Sequence, residues 1–227
     1  MYKDKIIAAL LFVLCLFTVF SAFADEKPIR VHYFYSEICE SCDEEEKFIS
    51  FFKSQTENIK RRMDIAAYNV FKSSELYLKT LGELNILEEE IKLPVLVIND
   101  TVISTKEDII KRTPAVIEKE ILGNAYVLDY YYKSKCPYCV KVEEALKTAQ
   151  DKYPLVWDYI NCDQTFMQKK FHERLTKREV PNNIWYVPFL FTEQSYLTGS
   201  DNILENADAF AAELYEAAKN NKENKND

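Results

Sequence analysis

Two cysteine pairs, each with two residues between its members, sit at the same point of two successive copies of one pattern. No other feature constrains the fold as tightly. The first pair is Cys39 and Cys42 in EICESCDEEE; the second is Cys136 and Cys139 in KSKCPYCVK. A β-branched and aromatic run precedes each, IRVHYFY at 29–35 and AYVLDYYY at 125–132, which predicts a buried strand. Helical segments follow at 43–59 and 140–153, then strands at 62–70 and 155–163 and helices at 73–87 and 165–178. A proline opens the next strand in both copies, at 93–100 and at 187–191. Hairpin partners at 101–104 and 195–200 and closing helices at 106–122 and 202–220 complete the order. Pro114 inside the first closing helix predicts a kink or a split there. Cys39 lies 55 residues before Pro94, and Cys136 lies 52 before Pro188. Gly123-Asn124 leaves almost no linker, so the chain reads as two α/β domains in close contact, 25–122 and 125–220. The tail 221–227 reads as disordered.

The N-terminus reads as an export signal. Lys3 and Lys5 precede an apolar stretch from 6 to 20, and Ser21-Ala22-Phe23-Ala24 places small residues for cleavage before Asp25. An uncleaved anchor is the alternative, since 6–24 is just long enough to span a bilayer. Leu14 ahead of Cys15 argues against lipid attachment. Either way the rest of the chain is expected in an extracytoplasmic compartment, where disulfide chemistry belongs. No retention tetrapeptide for the endoplasmic reticulum ends the chain, which favours a secreted or bacterial-envelope location. Removal of the signal leaves five cysteines, an odd number that suits two redox pairs and a singleton better than a structural disulfide framework. Only three glycines occur among 227 residues, and neither a phosphate-binding loop nor a dinucleotide fingerprint is present. A net charge of −8 disfavours nucleic acid as a partner.

The junctions YFYSEICESC and YYYKSKCPYC, with LPVLVIND and VPFLFTEQ downstream, resemble the thioredoxin superfamily in tandem, over nearly all of the chain after residue 24. The resemblance implies a mixed central sheet flanked by helices in each domain. It also implies cis-prolines facing the cysteines, which falls on Pro94 and Pro188, with Leu93 and Val187 before them as substrate-binding positions. CPYC and LTGSDNI lean towards the glutaredoxin branch, although a single Gly199 stands where that branch has two glycines, which counts against glutathione as a ligand. The family often carries a buried acid six residues before the first cysteine. Here that count gives Tyr33 and Tyr130, with His32 and Asp129 one position away; a bulge in the strand would bring Asp129 into the site, and His32 reads as a core or edge histidine.

The chemistry follows from the pairs. Cys39 and Cys136 are expected at helix N-termini, where N–H groups and the helix dipole stabilise a thiolate that attacks a disulfide. Cys42 and Cys139 would resolve the mixed disulfide. Substrates would be protein disulfides or another redox protein, with an electron-donating membrane protein as a further partner; no metal, flavin or nucleotide is implied. One alternative is a four-cysteine zinc site, although the 97 residues between Cys39 and Cys136 far exceed the usual ribbon gap. Another is a redox-silent folding or scaffold module that binds exported polypeptides. Cys162 reads as a small buried hydrophobe or an auxiliary thiol. Six acids surround the first pair, while Lys133, Lys135 and Lys141 surround the second. Positive neighbours favour the thiolate, so the Cys136–Cys139 couple is expected to be the more oxidising. Acids in the first turn of a helix also complement its dipole, a plainer reason for part of the run.

Overall fold

The structure is a computed structural model that describes residues 27–59 and 61–223; the expected export signal and the last four residues lie outside them. Two mixed four-stranded sheets with the same topology follow one another along the chain. The first half runs β1 (Ile29–Tyr35), α1 (Glu45–Gln55), β2 (Met63–Asn69), α2 (Ser74–Glu83), β3 (Val95–Ile98), β4 (Thr101–Ser104) and α3 (Lys106–Leu122). The second runs β5 (Val127–Tyr132), α4 (Pro137–Lys152), β6 (Val156–Asn161), α5 (Thr165–Lys177), β7 (Phe189–Phe191), β8 (Tyr196–Thr198) and α6 (Ser200–Glu223). Strand order is β2-β1-β3-β4 in one sheet and β6-β5-β7-β8 in the other. The first two strands of each half are parallel, and the remaining pairings are antiparallel.

Alternation along β1 and β5 explains the layers, because successive side chains of a strand point to opposite faces. Ile29, Val31 and Tyr33 meet Phe48 and Phe52 of α1 and Ile109, Val116 and Ile117 of α3. Leu128 and Tyr130 meet the matching helices α4 and α6 through Val142, Leu146, Ile203 and Ala211. The opposite faces do not close separately. Phe34, Val95 and Val97, with Tyr77 and Leu81 of α2, share one core with Tyr131, Ile160, Phe189 and Phe191 and with Phe166, Phe171 and Leu175 of α5. The halves are thus joined by a common apolar layer containing α2 and α5. Lys170 Nζ donates to Leu84 O at 2.9 Å and Lys169 Nζ to Asn85 O at 3.1 Å, so cations of α5 meet the exposed carbonyls just past the C-terminus of α2.

Several boundaries differ from the sequence reading. Helix α3 is one unbroken element through Pro114, not two. The proline removes the N–H that would bond the carbonyl of Ile110, and Ile110 is half exposed, so the missing bond falls on the outer side of the helix. Helix α4 begins at Pro137, earlier than expected, and α6 continues to Glu223, into the expected tail. Gly123 ends α3 with φ 77°, a conformation that favours glycine, and a 3-10 turn over Asn124–Tyr126 leads directly into β5.

Candidate functional site

The second cysteine pair sits where the fold makes a thiolate easiest to hold. β5 ends at Tyr132, and the turn that follows is closed by Cys136 N–H donating to Lys133 O at 3.2 Å. Cys136 is the N-cap of α4, and Pro137, with φ already set for a helix, occupies its first position. The Cys139 N–H donates to Cys136 Sγ at 3.1 Å. Cys136 and Cys139 form a disulfide with Cα atoms 5.2 Å apart; Cys136 is half-buried and Cys139 is 3% exposed. Cys136 Sγ also lies 3.9 Å from the carbonyl oxygen of Val187, and the Val187–Pro188 bond is cis. Tyr138 and Val140 within the start of α4, and Tyr186 just before Val187, are exposed, and Lys141 Nζ stands 5.4 Å from the Tyr138 ring centre.

The first pair is built differently, which corrects the sequence expectation. Cys39 and Cys42 form a disulfide with Cα atoms 5.3 Å apart, but α1 starts only at Glu45, with Glu44 as its N-cap. The cysteines therefore lie in a turn before the helix and do not cap it. CESC lacks the proline that opens α4, and Ser and Asp side chains compete with helical backbone bonds. Cys39 Sγ approaches Ser41 Oγ at 3.5 Å, Cys42 N–H bonds Cys39 O at 3.1 Å, and Cys39 N–H bonds Ser36 O at 3.2 Å. Leu93–Pro94 is cis, as is Val187–Pro188, and both prolines are buried. The four sulfurs thus form two separate disulfides, one in each half.

The acidic run is partly neutralised by partners that the local sequence does not reveal. Glu37 Oε1 accepts from Lys72 Nζ at 3.3 Å and from Asn69 Nδ2 at 3.2 Å. Asp43 Oδ1 accepts from Lys106 Nζ at 2.8 Å. Glu45 and Glu46 occupy the first turn of α1, where they complement its dipole.

Neither acid-position neighbour reaches the cysteines. Asp129 faces the shared layer, paired with Lys119 at 3.4 Å and with Arg174. His32 packs edge-on against Tyr68 at 5.3 Å, and burial, with Arg30 nearby, lowers its pKa. No bulge interrupts the pairing of β5 with β6, so the register keeps Tyr130 on the face towards α4. Cys162 is 1% exposed, and burial pushes its thiol up to about 12.

An open cleft of about 920 Å³ runs between the halves, from Ser41 in the first motif to Ser134, two residues before Cys136. The start of α3 and the β6–α5 turn line it, with Lys106, Asp108, Asn161 and Asp163 among its walls. Among the described residues no cluster suited to a metal ion occurs, and no helix is long and apolar enough to cross a membrane. The α/β architecture, with two four-stranded sheets each carrying a C-x-x-C disulfide, is compatible with thioredoxin-like folds. No known family matches the chain, and no curated protein does.

Proposed function

We propose that the chain is an extracytoplasmic thiol–disulfide oxidoreductase with two thioredoxin-like domains, the second leaning towards glutaredoxins, acting on protein disulfides. The observation that carries this reading is the second site: a half-buried sulfur at a helix N-terminus accepts the N–H of its own partner cysteine, beside the carbonyl that precedes Pro188. In the reduced protein, the Cys136 thiolate attacks one sulfur of a substrate disulfide. The mixed disulfide forms as the first substrate thiolate leaves. The Cys139 thiolate then attacks the Cys136 sulfur, releases the second substrate thiolate and closes the Cys136–Cys139 bond. Two electrons pass to the substrate, and the reverse sequence oxidises a dithiol. Cys39 and Cys42 take the same roles in the first half, and Leu93, Pro94, Val187 and Pro188 line the substrate grooves. A membrane protein is the proposed source of electrons for the reductive direction.

The experiment is turnover of a protein disulfide by the chain and by its Cys39→Ser and Cys136→Ser variants. Loss of exchange with retained substrate binding supports the enzyme. Unchanged biological activity in the doubly substituted chain rejects it in favour of a redox-silent scaffold.

A further inference from the structure

Each half places one buried phenol beneath its cysteine pair, at the same point of the same strand. Tyr33 of β1 lies opposite Leu96 of β3, and Tyr130 of β5 lies opposite Leu190 of β7. Their exposures are 1% and 2%. The Tyr33 hydroxyl accepts the N–H of Asp43 at 3.0 Å and donates to the Asp43 carbonyl at 3.2 Å. The Tyr130 hydroxyl donates to the Cys139 carbonyl at 3.3 Å. Both phenols thus tie down the main chain at the second cysteine or one residue beyond it. Packing fixes the rings as well: Tyr33 stacks on Phe48 with centroids 3.9 Å apart, and Tyr130 stacks on Tyr132 at 5.7 Å.

The halves depend on these tethers unequally. In the second, helix α4 begins at the motif and its own backbone orders Cys136 and Cys139. In the first, no helix begins until Glu45. There Asp43, at the exit of the motif, is held by both Tyr33 bonds and by Lys106, which reaches its carboxylate from the start of α3.

We propose that Tyr33 and Tyr130 are positioning residues of the two redox pairs, and that Tyr33, with Lys106 on Asp43, does for the first pair what the helix start does for the second. The proposal rests on the reading that both pairs cycle between disulfide and dithiol. The role is geometric. Burial pushes the Tyr33 hydroxyl up to about 12 and that of Tyr130 higher still, so both stay neutral and neither takes a proton from a cysteine. Holding the Cα atoms 5.3 Å apart keeps one thiol concentrated beside the other and favours the closed ring.

The test equilibrates the full chain, Tyr33→Phe, Tyr130→Phe and Lys106→Met with dithiothreitol, then traps and weighs each pair separately. Tyr33→Phe loses two hydrogen bonds and is expected to shift the first pair about tenfold towards dithiol, leaving the second within about twofold. Tyr130→Phe shifts the second pair by about threefold or less, and Lys106→Met, made together with Asp43→Asn so that the net charge beside the pair is unchanged, moves the first pair by about threefold in the same direction as Tyr33→Phe. A first pair unmoved by Tyr33→Phe, or moved only in step with the second, overturns the proposal. So does a lowered unfolding temperature of the reduced chain with no change in the equilibrium, which marks a purely structural role. If Tyr33→Phe fails to fold, the half-exposed Lys106 decides alone, and an unmoved first pair overturns the proposal. A wild-type chain that closes neither disulfide rejects the proposed function itself. A variant-specific failure rejects only this inference.

Discussion

Arg112 of α3 forms a two-pronged ion pair with Asp158 of β6, joining the first half to the second. Nε meets Oδ1 at 2.7 Å and Nη2 meets Oδ2 at 2.9 Å, with the side chains 4% and 2% exposed. Two turns further along α3, Lys119 meets Asp129, which lies in register with Asp158 on the neighbouring strand. Ala115, between them, packs on Val127 and Val156. One face of α3 therefore belongs to the first core and another seats cations on the second sheet, which fixes how the halves are oriented. Arg112→Met leaves a buried carboxylate without its partner and is expected to cost about 3–5 kcal/mol in urea unfolding. Arg112→Met with Asp158→Leu should lose clearly less than the two single losses added together. Strictly additive losses in that double-mutant cycle would show that the pair is not coupled.

Cys162 should be chemically silent in the native chain. It is buried in the shared core just past the end of β6, its N–H bonds Tyr132 O at 2.7 Å, and burial pushes its thiol up to about 12. At pH 8 almost none of it is thiolate, and the thiolate is the reacting form. Trapping the reduced native chain with an alkylating reagent should label Cys39, Cys42 and Cys136 and leave Cys162 unlabelled until denaturant is added. Labelling of Cys162 at the pace of Cys136 would contradict its burial.

The repeated order of strands and helices was legible because each run carries its own period, and the Cys-to-Pro spacing marks equivalent points in the two halves. The difference between the two sites was not. ESCDEEE and PYCVKV both read as helix starts after a strand, and only the structure places the first helix three residues beyond Cys42. Pro137 in one motif and its absence in the other is the local signal that separates the two helix starts. The partners of Glu37 and Asp43 come from residues 35 and 63 positions away, beyond the reach of any local pattern. Asp129 drew attention by its nearness to the expected acid position. One step along a strand reverses the face, and its cations lie in α3 and α5.

Thr105 and Gly199 make the same turn at different cost. Each follows the hairpin of its half and donates its N–H to the carbonyl of the cis-proline, at 3.0 Å to Pro94 and 3.1 Å to Pro188. Both need positive φ, 74° for Thr105 and 81° for Gly199, and a β-branched residue rarely adopts it. Relieving such strain is worth about 1–3 kcal/mol. Against that stand glycine's extra unfolded-state freedom, about 0.5–1 kcal/mol, and the loss of a long cap bond to Asp108 N, a few tenths. Thr105→Gly should therefore stabilise the chain by about 1 kcal/mol, and Gly199→Thr should destabilise it. A lower unfolding midpoint for Thr105→Gly would mean that the hydroxyl cap outweighs the strain.

The two disulfides should differ in reduction potential, with Cys136–Cys139 the higher. In that pair the attacking sulfur already accepts an N–H at 3.1 Å at the start of α4. Such a donor favours the thiolate and hence the reduced form, which makes the couple more oxidising. Cys39 has no helix start at its sulfur, and although Glu37 and Asp43 are paired with lysines, Glu40 and Glu44 remain as exposed negative neighbours. A helix terminus contributes about 0.5–2 kcal/mol to a charge beside it. For two electrons about 1.4 kcal/mol corresponds to about 30 mV, so an offset of about 10–40 mV is expected. Salt separates the causes: exposed charges are screened within about 3 Å at 1 M, whereas a direct N–H contact is not. Redox titration of each pair by trapping and mass spectrometry should find an offset that shrinks with salt without vanishing. A first couple equal to or above the second at both salt concentrations would show that the helix start at Cys136 does not set the order. With the order as expected, electrons entering at the first pair run downhill to the second.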